Sequence, residues 1–301
     1  MNESLAAPIV NPLPSRMRFS CLAKPSLKPR TVMLVLALIL ALQTTSYVLI
    51  MPLFSRRLSA LGAGVEALSL SDLVYALTAM LAAPFMGALA DRIGRRPLAL
   101  ASLGAYIGAF TGYLLAPTAA VFIALRALAG AFTAGLSPAI YGIISDLAPE
   151  KRRAQWISIV CGGSAFGWIA GPLIGGMLYD RWGYMVPFGL AIALAALVFL
   201  TAVLTVSETR PAPSARPALQ LKNLFPTPGS LRPALPSSLL KFGILMAVSF
   251  EVMFAWAFME PQAMFYVYDG LGWTSSQLGL AMSVYGVALM AGEFQIGRAH
   301  V

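Results

Sequence analysis

The sequence predicts an all-α polytopic membrane protein, and three observations predict it. Of the 301 residues, 58% are hydrophobic and only 11% charged, a balance that a water-soluble fold does not sustain. The apolar residues lie in continuous stretches of about 20 or more, the length of helix that crosses ~30 Å of hydrocarbon. Those stretches are long and unbroken, without the alternation of barrel strands.

Eight spans follow, at 31–54, 70–89, 97–116, 118–145, 154–178, 185–206, 242–266 and 275–297. Before the first lies a tail, residues 1–30, rich in proline and basic residues and lacking the apolar core of a signal peptide, so it is expected in the cytoplasm. With the amino terminus inside, the cytoplasmic segments hold 16 Lys and Arg, and the outer loops hold three: Arg56, Arg57 and Arg181. That asymmetry obeys the positive-inside rule. The net charge of +9 is then accounted for by topology and by anionic lipid at the inner leaflet, and nucleic acid is not needed as a partner.

The first six spans run close together and form one bundle, residues 31–206. Residues 207–240, "SETRPAPSARPALQLKNLFPTPGSLRPALPSS" at their core, read as a cytoplasmic linker because they are polar, basic and proline-rich. Spans seven and eight, residues 241–294, open a second bundle. The closing "IGRAHV" is what a common sequencing adapter encodes, so residues 295–301 are expected to be a non-native read-through tail on a truncated gene. Cys21 falls in the tail and Cys161 in the fifth span, and the single histidine is His300, so neither a disulfide nor a metal site is expected.

Between spans two and three stands "GALADRIGRRP", with Gly87, Asp91, Arg92, Gly94, Arg95, Arg96 and Pro97. Gly87 permits close helix approach, Pro97 suits a first helical turn, and Asp91 can meet a helix amino terminus or a basic partner. The arginines can form ion pairs that break when the cytoplasmic side opens. In the fourth span, "RALAG" sets Arg126 about two turns below the outer surface, where an arginine costs ~2.5–3.5 kcal/mol at the helix centre and faces protein or water. In the fifth span, Gly163, Gly167, Gly171 and Gly175 recur every four residues and form one slowly drifting stripe, followed by Gly176, while Pro172 removes a hydrogen bond. After the fourth span, "DLAPEKRRAQ" sets Asp146 and Glu150 beside Lys151, Arg152 and Arg153, and reads as a salt-bridge latch between bundle ends.

These three motifs, with the long linker, resemble those of the major facilitator superfamily of secondary transporters. The loop matches the superfamily's signature, Arg126 with Gly130 matches a motif associated with proton coupling, and the glycine stripe of span five matches the motif of drug and metabolite antiporters. The resemblance covers about 31–294 and implies the major facilitator fold: two six-helix bundles, here the first plus two helices of the second. It also implies a substrate site between the bundles and alternating access. It places the packing partner of the glycine stripe in the second bundle, on the eighth span.

On that basis the expected activity is proton-coupled efflux of small amphipathic molecules, with no cofactor and the proton gradient as energy source. The expected partners are a small-molecule substrate, protons and membrane lipid, and the full-length protein is expected to act as a monomer in the cell membrane. A carboxyl in a low-dielectric site suits proton loading and release, which nominates Glu251, near the middle of span seven, and Glu260 toward its outer end. Depth favours Glu251, and Glu293 in span eight is a third acid. The two span-seven glutamates are nine residues apart, about 180° around a straight helix.

Gln43, Thr44, Thr45 and Ser46 make a mid-membrane polar patch and are expected to line the substrate path, with Tyr141, Trp168, Phe254, Trp256 and Phe258 as aromatic walls. The first span lacks the acid that tetracycline exporters carry there, which counts against tetracycline as substrate. The alternatives are an uptake symporter or facilitator for a sugar or organic acid, or, in another class, a polytopic sensor or membrane enzyme. An enzyme needs paired carboxylates, a metal cluster or a nucleophile with its base, and no shared loop supplies them.

Overall fold

The structure is a computed structural model that describes residues 29–209 and 238–299. The tail before residue 29, residues 210–237 of the linker and residues 300–301 lie outside the described residues. So do the side chains of 291–299, Glu293 among them.

Among the described residues, seven helices are long and apolar enough to cross a membrane, and Ser275–Ala299 follows them as an eighth. The chain is a multi-pass membrane protein. Span one is α1 (Pro29–Ile50), a 3₁₀ turn at Met51–Leu53 and α2 (Phe54–Ala60). The 3₁₀ turn falls where Pro52 withholds an N–H from the helical ladder. Span two is α3 (Val65–Ile93), which begins five residues before the apolar run predicts, because polar Glu66 and Ser69 continue the helix beyond the hydrocarbon. Span three is α4 (Arg95–Leu115). Gly94 alone separates it from α3 at φ +109°, a backbone conformation that residues with a Cβ rarely adopt.

Span four divides into α5 (Ala119–Thr133) and α6 (Leu136–Leu147). Pro138 cannot donate to the carbonyl four residues back, so the ladder breaks at Ala134 and Gly135. Gly135 fills the break against α4, where an added Cβ would stand 2.7 Å from Ser102 Oγ. Span five is the unbroken α7 (Arg153–Trp182), span six α8 (Met185–Thr205) and span seven α9 (Leu239–Phe265), which ends in a π turn at Tyr266–Gly270. Span eight is α10 (Ser275–Ala299).

The first six spans enclose two apolar clusters. Phe54, Phe110, Tyr113, Phe122 and Phe188 fill one toward the outer end, outer being the side that charge assigns. Leu36, Ile39, Leu103, Ile140, Ile143 and Val198 fill the other toward the cytoplasmic end. Tyr113 and Phe122 lie with ring centroids 5.0 Å apart, and Phe54 meets both edge-on. Because lipid tails are as apolar as these side chains, the clusters hold the bundle by close packing and not by exclusion of water.

The stripe Gly163, Gly167, Gly171 and Gly175 of α7 packs on span one of the same bundle, which corrects the expectation of an eighth-span partner for these four, whereas Gly176 and Pro172 do meet span eight. A Cβ on Gly163 would stand 2.5 Å from the Ala37 carbonyl oxygen, one on Gly167 2.6 Å from the Thr45 nitrogen, and one on Gly171 3.0 Å from the Leu49 nitrogen. At Gly175 it would overlap the Leu49 carbonyl. A four-residue repeat drifts only about 40° per step, so all four stay on one face. Gly176 is turned about 100° from Gly175 and meets the start of α10 at Ser275, while Gly279 of α10 sits on the Pro172 carbonyl. Helix α7 therefore has two backbone-close faces, one toward each bundle.

Candidate functional site

Helices α3 and α5 both start at the outer end, and each carries a charged residue seven positions in: Asp72 after Val65, Arg126 after Ala119. At 1.5 Å per residue both lie about 10 Å along their helices from that end, on facing helices. Arg126 is 2% exposed, and its Nη2 pairs with Asp72 Oδ1. Its Nη1 donates to the Tyr47 hydroxyl at 3.4 Å. The guanidinium lies 4.4 Å from the centroid of the Tyr75 ring and 5.0 Å from that of Phe54. An arginine so deep is retained because a carboxylate, a hydroxyl and two π faces replace its hydration.

Asp72 was not legible as a site residue from the apolar pattern, since one acid does not disqualify a span. The signal that finds it is Arg126 itself: a buried guanidinium demands a counter-ion at its own depth, and Asp72 is the span-two acid that far from the outer end.

This pair borders a cavity of about 280 Å³ between the first bundle and α9. Tyr47, Phe54, Tyr75 and Trp168 wall it from the first bundle, and Trp256, Glu260 and Met264 from α9. Glu260 therefore faces the same space as the Arg126 and Asp72 pair. Trp256 is braced from behind by Tyr285 of α10, ring centroids 5.4 Å apart. A larger open groove, about 620 Å³ between α3 and the outer part of α9, has Glu66 as its charged residue and no basic counterpart.

Glu251 does not join this site. It is exposed on α9, as are its neighbours from 239 to 259, and does not line the cavity. Depth ranked it above Glu260, but the nine-residue separation turns it to the opposite side of the helix. The polar patch of span one is also placed elsewhere. Gln43 is 3% exposed inside the first bundle, with no hydrogen-bond partner on either amide atom. Thr44 packs its Cβ against Gly167, and Thr45 turns its hydroxyl to the Ala41 carbonyl at 2.7 Å. Tyr47 and Met51 represent span one in the cavity instead. Tyr141 is exposed, 3.5 Å from Cys161 Sγ, and away from the cavity. Of the expected aromatic walls, Trp168 and Trp256 line the cavity, whereas Phe254 and Phe258 are exposed on α9 and do not.

The basic loop forms its own network at the opposite end of the bundle. Arg95 pairs with Asp91 at 2.9 Å and approaches Asp146 at 3.7 Å, and the Thr209 hydroxyl donates to Asp146 at 2.8 Å. Both carboxylate oxygens of Glu208 accept backbone N–H groups at the start of α4, from Arg95 and Arg96, each at 3.1 Å. Glu208 thus meets the helix amino terminus, and Asp91 meets a basic partner, Arg95, one of the two roles expected of it. Arg96 donates to the Val203 carbonyl at 3.1 Å, and Arg92 is exposed. A Cβ added at Gly87 would meet nothing within 4 Å among the described residues, so no helix approaches it there. Asp146 is held within the first bundle and Arg153 donates to the Ser145 carbonyl at 3.4 Å, so among the described residues the "DLAPEKRRAQ" segment does not bridge bundle ends.

A helical bundle whose buried ion pair faces a second set of helices across a cavity defines a polytopic membrane protein with a site between two sets of helices. The chain belongs to the Major Facilitator Superfamily, whose family model matches residues 34–300. It is 29% identical over 220 residues to the tetracycline resistance protein, class E, of Escherichia coli, covering 71% of this chain and 51% of that protein. It is 28% identical over 262 residues to the multidrug resistance protein MdtG of Klebsiella pneumoniae (strain 342), covering 84% and 61%. The human organic anion transporter MFSD10 (TETRAN) superposes with a TM-score of 0.65 at 23% identity, over 88% of this chain and 70% of that one, which shows the shared fold. The chain spans between 51% and 61% of the length of these two resistance proteins.

Proposed function

We propose that the chain serves a secondary transporter that exports small amphipathic molecules in exchange for protons by alternating access. The observation that carries this is Glu260, on the second set of helices, facing the buried Arg126 and Asp72 pair across one cavity. Two carboxylates beside one guanidinium leave one negative charge in excess, and a proton on Glu260 cancels it while Asp72 holds Arg126. When Glu260 ionises, it competes for Arg126 and draws the two sets of helices together. Proton loading at this carboxyl therefore biases the relative position of the bundles, which is the requirement for coupling. The aromatic walls suit an apolar ring system. Relatives named for tetracycline and multidrug resistance support drug-like substrates. The reading includes residence in the cell membrane with the amino terminus inside, action as a monomer in contact with lipid, and no cofactor beyond the proton gradient.

The test uses everted vesicles containing the full-length protein. Substrate addition should dissipate a preformed proton gradient, Glu260→Gln should abolish this, and Glu251→Gln should leave it near the parent level. Proton-linked transport that persists in Glu260→Gln would sink the assignment.

A further inference from the structure

Helix α10 begins with a capping box. The Thr274 hydroxyl accepts the Gln277 N–H at 3.2 Å and the Gln277 side-chain oxygen accepts the Thr274 N–H at 2.9 Å. That leaves the N–H groups of Ser275 and Ser276, two of the four donors that a helix start cannot satisfy by itself. Both go to Asp180, whose Oδ1 accepts from Ser275 at 3.0 Å and Oδ2 from Ser276 at 2.7 Å. Asp180 belongs to α7, in the first bundle, two residues before that helix ends at Trp182. A negative charge is unfavourable at the end of its own helix and favourable at the start of α10. Nothing within α7 accounts for an acid there; the neighbouring bundle does.

The same corner holds three more contacts across the bundles. Arg56 donates to the Trp273 carbonyl at 3.1 Å and lies 3.9 Å from the Tyr268 ring centroid, and the Tyr268 hydroxyl donates to the Pro52 carbonyl at 3.4 Å. All of these sit at the outer end, above the cavity, whereas residues 239–259 of α9 at the other end are exposed.

We infer that Asp180 is a positioning residue for the transport cycle: its carboxylate caps α10 to hold the two bundles together at the outer end, and it releases that helix when the cavity opens outward. The inference rests on the alternating-access reading. It explains why the cap comes from the opposite bundle, since a cap contributed by α10's own loop would do nothing to hold the bundles together.

The test is carried out in the full-length protein with Cys21 and Cys161 replaced by serine. Met264→Cys, beneath the latch and 7% exposed, reports access to a membrane-impermeant maleimide added from outside. Asp180→Ala should raise the labelling rate about fivefold, the population shift expected from losing one helix cap. Asp180→Asn, which still accepts hydrogen bonds without the charge, should fall between, and Asp180→Glu should return most of the parent behaviour. A labelling rate in Asp180→Ala equal to the parent, at parent abundance in the membrane, overturns the proposal. If the alanine variant does not reach the membrane, Asp180→Asn is judged by the same criterion. Independently, Asp180→Cys with Ser276→Cys, joined by a short bifunctional thiol reagent, should stop transport until reduction, and transport that continues while joined also overturns it. Labelling is read at one fixed pH without substrate, so it needs no transport assay. Responsive labelling in a protein that moves no substrate refutes the transport reading, and flat labelling in a working transporter refutes the latch.

Discussion

Removing the carboxylate of Asp72 exposes the energetics of the site most directly. Arg126 is 2% exposed, and among the described residues Asp72 is its one ion-pair partner within 4 Å. In Asp72→Ala the guanidinium keeps the Tyr47 hydroxyl and the faces of Tyr75 and Phe54 but has no counter-charge in contact. Breaking a fully buried pair by deleting one partner costs about 3–5 kcal/mol. The Asp72 side chain is 38% exposed to the cavity, so water recovers part of that, and about 2–3 kcal/mol is the reasonable expectation. For a domain of this size that corresponds to a fall of roughly 4–10 °C in melting temperature. Thermal unfolding of the purified full-length protein in detergent measures it. Asp72→Glu keeps a carboxylate on a longer stem and should lose less than half as much. Arg126→Leu with Asp72→Leu, which removes both charges, should melt closer to the parent than Asp72→Ala while transporting nothing. A melting temperature for Asp72→Ala within 1 °C of the parent would mean that Arg126 is hydrated and that the pair is not the buried element described here.

Four further outcomes follow from the packing and the cavity. Gly167→Ala places a Cβ 2.6 Å from the Thr45 nitrogen, so α1 and α7 must part by close to 1 Å, a strain of about 1–3 kcal/mol visible as a lower melting temperature. Gly87→Ala, whose Cβ would meet nothing within 4 Å among the described residues, should melt at or slightly above the parent. Glu208→Ala strips the start of α4 of both carboxylate acceptors and should cost about 1 kcal/mol, read as faster amide exchange at Arg95 and Arg96. Trp256→Ala removes a cavity wall and should raise the apparent KM for an aromatic substrate roughly tenfold, while Phe258→Ala, on the exposed side of α9, should leave it within twofold.

Seven of the eight expected spans were legible because hydrocarbon imposes a length on any helix that crosses it, and their order follows from apolar runs alone. Their ends were less so. Glu66 and Ser69 extend α3 beyond the bilayer by helical continuity that hydropathy does not register, and Pro138 divides span four within an apolar run. In the site, Arg126 was visible because an intramembrane arginine is costly wherever it occurs. Its partner was not, because pairing depends on two helices starting at one surface and carrying charge at equal depth, a relation between segments. Glu251 and Glu260 show a related difficulty: depth is readable from position along a span, whereas the direction a residue faces depends on which neighbours the helix meets. The polar patch of span one makes the same point, since Gln43 turns into the bundle and Tyr47 turns to the cavity.

The second face of α7 bears on how such a machine moves. Between α7 and α10 the contact is main chain on main chain, at Gly176 with Ser275 and at Gly279 with Pro172, and Gly286 continues it toward Trp168. Interlocking side chains would act as gear teeth, fixing the crossing angle and resisting every small displacement. A seam of glycines has no teeth. It permits pivoting and short sliding at nearly constant contact, so the friction of rearrangement falls on the few polar groups at its outer edge, and the mid-membrane part of the joint behaves as a bearing.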